Sequence, residues 1–266
     1  AGILESQNVG ARILLGEDVI NDPSSMDGFD TLLVSAMSVD KQAVQKIINL
    51  WRNKHRHKPA IVGGPIASKP ESLLRLGFDI VVVGEGERSL LELLRNGLKI
   101  GKLPTEFQRT ILPDGIRQGT GFGRLRNSDD MESFRKEHTR KYEILNSFDS
   151  SVSCIRDYPV HCALKFYVET TRGCSNFLRT TIQLPDGSKC TACQKCRDDK
   201  LEKRIHCPAG IPPGCGFCSV PNLFGYSRSR NEDRIAREVK ELVKAGVRRI
   251  TLSASDFLDY KRDDLV

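Results

Sequence analysis

Phe166-Tyr167-Val168-Glu169-Thr170-Thr171-Arg172-Gly173-Cys174 and, after an excursion of 40 residues, Cys215-Gly216-Phe217-Cys218 decide how the sequence is read. Seven of the nine cysteines fall between residues 166 and 218. Cys174, Cys215 and Cys218 frame the stretch, and Cys190, Cys193, Cys196 and Cys207 lie inside the excursion. Thiols repeated at CxxC spacing point to metal ligation more than to scattered core thiols. Disulfides are the competing use, but a chain of 266 residues builds a core without covalent staples. The opening residues, Ala1 to Val19, lack a long apolar run behind a basic start. Reduced cysteines in a cytoplasmic protein are therefore expected.

Outward from that stretch, composition bounds the rest. Hydrophobic residues make up 39% of the chain and form no run of membrane-spanning length, so no membrane span is expected. The length suits two domains. Lys and Arg number 41 against 34 Asp and Glu, a net charge of +7 that suits an anionic ligand or nucleic acid and equally a solvated surface. Aromatics are only 6%, too few for many stacking platforms, so nucleic acid is the less favoured partner. The chain opens on Ala1 and closes at Leu265-Val266, which is read as a fragment with a clipped N-terminus.

Residues 1–100 read as an α/β domain. Apolar runs at Arg12 to Leu15, Thr31 to Ser35, Ala60 to Gly63 and Phe78 to Val83 alternate with helical patterns. Val44, Ile47, Ile48 and Trp51 recur on one helical stripe, with Ser38 as a candidate cap before it. Ser68 and Glu71 have capping-box spacing, Gly77 closes that short helix, and Ser89 to Leu94 is a further helix. The order βαβαβα implies an open parallel, Rossmann-like sheet, whose ligands sit at the carboxyl ends of the strands. Glycine turns fall at those ends, at Gly63-Gly64 and at Gly84-Glu85-Gly86. Tight βα turns need glycine whether or not a ligand binds.

The combination of Val34-Ser35 through Ser38, Ile61 to Pro65 and Val81-Val82-Val83-Gly84-Glu85-Gly86-Glu87 resembles the cobalamin-binding domain that precedes many radical S-adenosylmethionine enzymes. The resemblance implies cobalamin across the strand ends, near Ser35, Ser38, Gly63, Gly64, Gly84, Glu85 and Gly86. Asp-x-His-x-x-Gly is absent from the sequence, so no lower axial histidine is expected.

Residues 101–165 read as a polar connector. Gly119-Thr120-Gly121-Phe122-Gly123 lacks the strand and helix cap of a phosphate loop, and Cys154 and Cys162 read as ordinary buried thiols.

Residues 166–266 carry the metal chemistry. Phe166 to Thr170 reads as a strand and Thr171 to Cys174 as the loop after it; Cys215 and Cys218 share one tight turn. A cubane cluster held by only three cysteines leaves one iron open to a ligand. Glu169 to Cys174 together with Cys215 to Cys218 is similar to the radical S-adenosylmethionine superfamily signature, with an insertion at 175–214 in place of the usual three residues. The resemblance implies the N-terminal part of a β/α barrel, and a [4Fe-4S] cluster on Cys174, Cys215 and Cys218. It further implies S-adenosylmethionine at the open iron, Phe217 near the adenine, and Ser253, Ser255 and Asp256 near the amino group. A ligand swap of Cys207 for Cys174 stays open.

Lengthening a loop from three to forty residues costs roughly 2 kcal/mol, against metal-binding energies on the order of 10 kcal/mol, so the insertion is tolerable. Inside it, Cys190-x2-Cys193-x2-Cys196-x10-Cys207-Pro208 offers four thiolates for a second [4Fe-4S] cluster or, alternatively, tetrahedral Zn. Downstream, Tyr226 to Arg230 precedes a helix with Ile235, Val239, Leu242 and Val243 on one face, and Val247 to Leu252 reads as the next strand.

The leading expectation is an enzyme that generates a 5'-deoxyadenosyl radical and, with cobalamin, methylates an unactivated carbon. It would need an electron donor such as a ferredoxin or flavodoxin, and an unidentified substrate. The alternatives are a radical enzyme without cobalamin, a zinc-stabilised RNA-binding module, and a simple electron carrier.

Overall fold

The computed structural model describes residues 2–68, 70–98, 166–185, 187, 189–191, 193–198, 204, 207–209, 211–218 and 220–262. The connector at 101–165, with Cys154, Cys162 and Gly119 to Gly123, lies outside the described residues. The chain divides into two compact units, one running from Arg12 to Thr120 and the other joining Ala1–Ala11 to Gly121–Val266. Helix α1 (Gly2–Ser6), with buried Ile3 and Leu4, belongs to the second unit.

The first unit is built on three parallel strands in sequential order, β1 (Leu32–Ser35), β2 (Ala60–Gly63) and β3 (Ile80–Val81). The register pairs Ser35 with Gly63 and Val62 with Val81. Helices α2 (Gly16–Asn21), α3 (Lys41–Lys54), α4 (Pro70–Arg75) and α5 (Glu87–Arg95) complete the unit. The stripe read on α3 is the buried one: Val44, Ile47, Ile48 and Trp51 all face inward. Ile61, Ile80, Val82 and Leu93 form an apolar core with Leu98 against it. Each such buried side chain contributes roughly 1.5–3 kcal/mol.

The first unit departs from the sequence pattern in three places. Arg12 to Leu15 forms no strand; Ile13 and Leu15 are exposed, and the segment leads directly into α2. Ser38 does not cap α3. It begins a single 3-10 turn, Ser38–Asp40, in which the Asp40 carboxylate accepts from the Met37 amide at 2.8 Å. Phe78 to Val83 is mostly buried, but only Ile80–Val81 is strand; the flanking Asp79 and Val82 amides still donate to the Ala60 and Val62 carbonyls of β2 at 2.9 and 2.8 Å.

The second unit centres on β4 (Phe166–Arg172), flanked by antiparallel β5 (Arg228–Ser229) and parallel β6 (Ile250–Ala254). A bulge at Glu169/Thr171 shifts the β4–β6 register where the cysteine loop begins. Between α6 (Val220–Phe224) and β6 lies α7 (Glu232–Lys244). Its N-cap is Asn231, whose Oδ1 accepts from the Asp233 and Arg234 amides. Ile235, Val239 and Leu242 of α7 pack with Val168, Val247, Phe166 and Ile250. Val243, expected on the same face, is instead exposed. The strand expected at Val247 to Leu252 instead starts at Ile250. Val247 is held in the core below α7, and the Arg249 carbonyl accepts the Phe166 amide at 2.9 Å at the mouth of the ladder.

Candidate functional site

Two sets of residues were singled out by the sequence, one in each unit. In the first unit the strand ends gather Ser35, Ser38, Gly63 and Gly64 at the carboxyl edge. Ser38 Oγ donates to the Pro65 carbonyl at 3.5 Å. Gly64 has φ +86°, and a Cβ there would lie 2.9 Å from the Ala36 carbonyl oxygen and 3.2 Å from Ser35 Oγ. The bare backbone at 64 is thus required by Ala36. Val82 links this edge to the next turn, since Cβ atoms added at Gly63 and at Gly86 would both meet it, at 3.6 and 3.9 Å. Gly84, with φ +82°, and Glu85 follow β3 at the same edge. Met37 and Val39 are exposed beside it, Val39 at 88%.

In the second unit the loop after β4 is fixed from several sides. Arg172 at its base forms a two-pronged ion pair with Glu169, Nε to Oε1 at 2.9 Å and Nη2 to Oε2 at 2.7 Å. Gly173 follows with φ +87°, and a Cβ there would fall 1.9 Å from the Tyr226 carbonyl oxygen. No other residue fits without moving backbone. The Cys174 amide then donates to the Gly225 carbonyl at 3.1 Å. Ser175 is clamped to buried Asp259, its amide to Oδ2 at 2.9 Å and its hydroxyl to Oδ1 at 2.5 Å. Arg262 reaches both partners, 3.2 Å from Ser175 Oγ and 3.6 Å from Asp259 Oδ1.

The structure brings the framing cysteines into one neighbourhood. The Asn176 amide lies 3.4 Å from Cys174 Sγ, and Asn176 Nδ2 lies 3.4 Å from Cys215 Sγ. The Cys218 amide donates to the Cys215 carbonyl at 3.0 Å, closing the turn that carries both thiols. Burial pushes the Cys174 thiol up from its ordinary pKa; the Asn176 amide opposes this, and the charges of Asp259, Cys218 and Asp256 add to the rise. A bound cation would reverse that balance. Among the described residues, no three His, Cys, Asp or Glu are drawn together as a finished metal-ligand set.

Inside the insertion, Cys196 lies on a single 3-10 turn, Lys195–Arg197, and its sulfur accepts from Arg179 Nη1 at 3.3 Å. Arg179 is buried and also donates to the carbonyls of Ile211, Phe177 and Arg204. It is the internal brace of the insertion. Cys190 and Cys207 are half-buried and Cys193 is exposed, and the described residues do not join them to Cys196 as a set.

Phe217 is 94% exposed on the Cys215–Cys218 turn. The Ser253 carbonyl accepts from Thr170 Oγ1 at 3.1 Å, so that part of β6 is tied to β4. Asp256 caps the short turn Phe257–Asp259 by accepting from the Leu258 amide at 3.0 Å, and Ser255 precedes it. Sequence reasoning missed Ser175, Asn176, Arg179 and Asp259. A signal existed only for Asn176, a turn-forming residue two places after the first cysteine.

No protein-family model matches the chain. An uncharacterized protein of Methanopyrus kandleri is 40% identical over 268 residues, which is 100% of this chain and 46% of the relative. The chain thus spans about half the length of that relative. Ribosomal protein methylthiotransferase RimO of Thermotoga maritima is 44% identical over 54 residues, 20% of this chain and 13% of RimO. The fold is similar to that of TsrM of Kitasatospora setae, a radical S-adenosylmethionine methyltransferase. The TM-score is 0.53 at 13% identity, covering 96% of this chain and 43% of that one. The likeness of fold to TsrM and the short stretch shared with RimO agree with the resemblance read from the cysteine motif, and the first unit is α/β with a parallel sheet. Among the described residues no helix is long and apolar enough to cross a membrane.

Proposed function

We propose that the chain is the cluster-bearing part of a radical S-adenosylmethionine enzyme, with Cys174, Cys215 and Cys218 as ligands of a [4Fe-4S] cluster. The observation that carries this reading is Asn176, which hydrogen-bonds the sulfurs of two cysteines 41 positions apart in the chain. A forty-residue insertion between the first two ligands is compatible with one site when both ends are held in this way. The donor set fits the group: three thiols on two short loops, with N–H donors aimed at sulfur. Such a cluster, when loaded, supplies an electron that cleaves S-adenosylmethionine to a 5'-deoxyadenosyl radical.

The protein's own residues then have distinct tasks. The Arg172–Glu169 pair and Gly173 fix the loop at the end of β4, and Asp259 fixes Ser175. Exposed Phe217 offers a flat apolar face beside the cysteine turn for the adenine. The end of β6, at Ser253 and Ser255, offers polar groups for the amino acid part. Asp256 is the weaker candidate, since one of its oxygens already caps a turn. A partial β/α barrel is the architecture supported by parallel β4 and β6 with α7 ahead of β6.

Cobalamin at the carboxyl edge of the first sheet, and methyl transfer to carbon, form the finer part of the proposal. Parallel strand ends with glycine turns, and exposed Met37 and Val39 beside them, suit a bulky and partly apolar ligand. The residues present fit, without a histidine ligand from the edge itself. For Cys190, Cys193, Cys196 and Cys207 a second cluster or Zn is proposed, with Arg179 ordering the segment around Cys196.

The test is metal and sulfide analysis of anaerobically reconstituted protein beside a Cys215→Ala/Cys218→Ala variant. About eight irons falling to about four support two cubane clusters. Release of 5'-deoxyadenosine under a strong reductant supports the radical chemistry, and cobalt absorbance supports cobalamin. Zinc with little iron, and RNA affinity that falls steeply with salt, would replace the enzyme by a binding module.

A further inference from the structure

We infer that Asn176 is a positioning residue that sets the spacing of Cys174 and Cys215 and raises the reduction potential of the group they hold. The inference rests on the cluster proposed above, and it concerns this chain's own donors. Asn176 addresses two sulfurs by two different groups: its backbone amide faces Cys174 Sγ and its side-chain Nδ2 faces Cys215 Sγ, each at 3.4 Å.

The orientation of that side chain is not free. Asn176 Oδ1 accepts from the Leu178 amide at 3.1 Å, a local turn that commits the oxygen to backbone. A terminal amide with its oxygen so engaged presents its NH2 to the other side, which here is sulfur. The backbone of Asn176 is equally constrained. Gly173 is walled by Tyr226, the Cys174 amide is bonded to Gly225, and Ser175 is bonded to Asp259. The residue is therefore a preset gauge between the loop after β4 and the turn at Cys215, the two ends of the insertion.

An N–H donor stabilises a thiolate most when it carries most negative charge, which is in the reduced state of the group it ligates. Removing a donor therefore lowers the potential. Two variants separate this role from a structural one. Asn176→Ala removes the turn and the Nδ2 donor. Asn176→Asp keeps an oxygen for the Leu178 amide and replaces the donor by a second oxygen facing Cys215.

Both variants are reconstituted as the full chain, their iron is counted, and the midpoint potential is read by spectroelectrochemistry with EPR detection. The signal followed is the one that disappears in Cys215→Ala/Cys218→Ala. The expected result is a more negative midpoint in both variants, larger in Asn176→Asp, with iron content near wild type in at least that variant. A tenfold weakening of the reduced state corresponds to 59 mV for a one-electron couple. Wild-type potentials in loaded Asn176→Asp overturn the inference, even if Asn176→Ala fails to load. Iron that is absent from wild type, or unaffected by Cys215→Ala/Cys218→Ala, would instead remove the proposed cluster itself.

Discussion

The two units bury different chemistry. Around β1 to β3 the interior is apolar, built from side chains such as Val44, Ile48, Trp51, Val62, Ile80 and Leu93, and Ser89 is its one fully buried polar residue among those described. Around β4 to β6 the buried set includes Thr170, Thr171, Arg179, Ser227, Arg228, Ser229, Arg230, Glu238 and Asp259. Burying charge costs free energy unless every group finds a partner, and such networks gain little net stability over apolar packing. What they do gain is fixed geometry. The first unit is held together by area removed from water, and the second adds to its own apolar packing around Val168 and Leu242 a set of directional contacts, several of them at the loop after β4.

The largest expected effect sharpens that contrast. Arg230 Nη1 donates to Glu238 at 2.6 Å and to the Glu169 carbonyl at 3.0 Å, with both side chains of the ion pair buried. Glu238→Ala leaves that guanidinium without its carboxylate and is expected to cost about 3–5 kcal/mol in urea denaturation. Glu238→Gln, which keeps an acceptor, loses less. If the two variants behave alike, the pairing of charge is not what matters there.

Next in size is Leu93→Ala, which removes a fully buried side chain from the apolar unit and is expected to cost about 2–5 kcal/mol. Conservative shortening, as in Ile48→Val, should cost only about 0.5–1.5 kcal/mol. A graded response of this kind marks an area-driven core. Failure of the gradation would break the comparison.

Asp259→Ala removes the clamp on Ser175 and is expected to cost about 1.5–3 kcal/mol, with iron loading reduced beyond what the stability loss accounts for. Loading unchanged at equal folded fraction would show that the clamp serves only the fold. The smallest effect is at Asp22, whose carboxylate accepts from the Ser24 hydroxyl and amide at the start of the turn Pro23–Met26. The Ser24 hydroxyl first, then the Ser24 amide, lowers its pKa. Its contribution is therefore present above the unfolded carboxylate pKa and lost as pH falls through the folded value. Because the group is fully exposed, Asp22→Ala should only slightly flatten the acid limb of a stability–pH curve.

The same contrast explains what could be read from sequence. Helices α3, α5 and α7 announce themselves because one face is apolar at helical spacing, and β1 and β2 because they are short apolar runs between turns. The cysteines are legible because thiol spacing is rare and chemically costly to keep. Arg12 to Leu15 misleads because the run leaves Ile13 and Leu15 exposed instead of burying them against the sheet. Ile250 rather than Val247 starts β6 because Val247 is claimed by the packing below α7. Asn176, Arg179 and Asp259 have no periodic signature at all. Their roles depend on partners 39, 25 and 84 residues away, which only the folded chain brings near.

The span between Ser175 and Asp259 also sets an order of events during synthesis. The clamp cannot close until 84 further residues have been made. At roughly 5–20 residues per second that interval is on the order of ten seconds, and longer by the time Asp259 clears the ribosome exit tunnel. Until then Ser175, next to Cys174, lacks its Asp259 clamp while Cys190, Cys193 and Cys196 follow it out. If the proposed cluster is the occupant, iron delivered after Asp259 has emerged would meet Ser175, the neighbour of Cys174, already clamped.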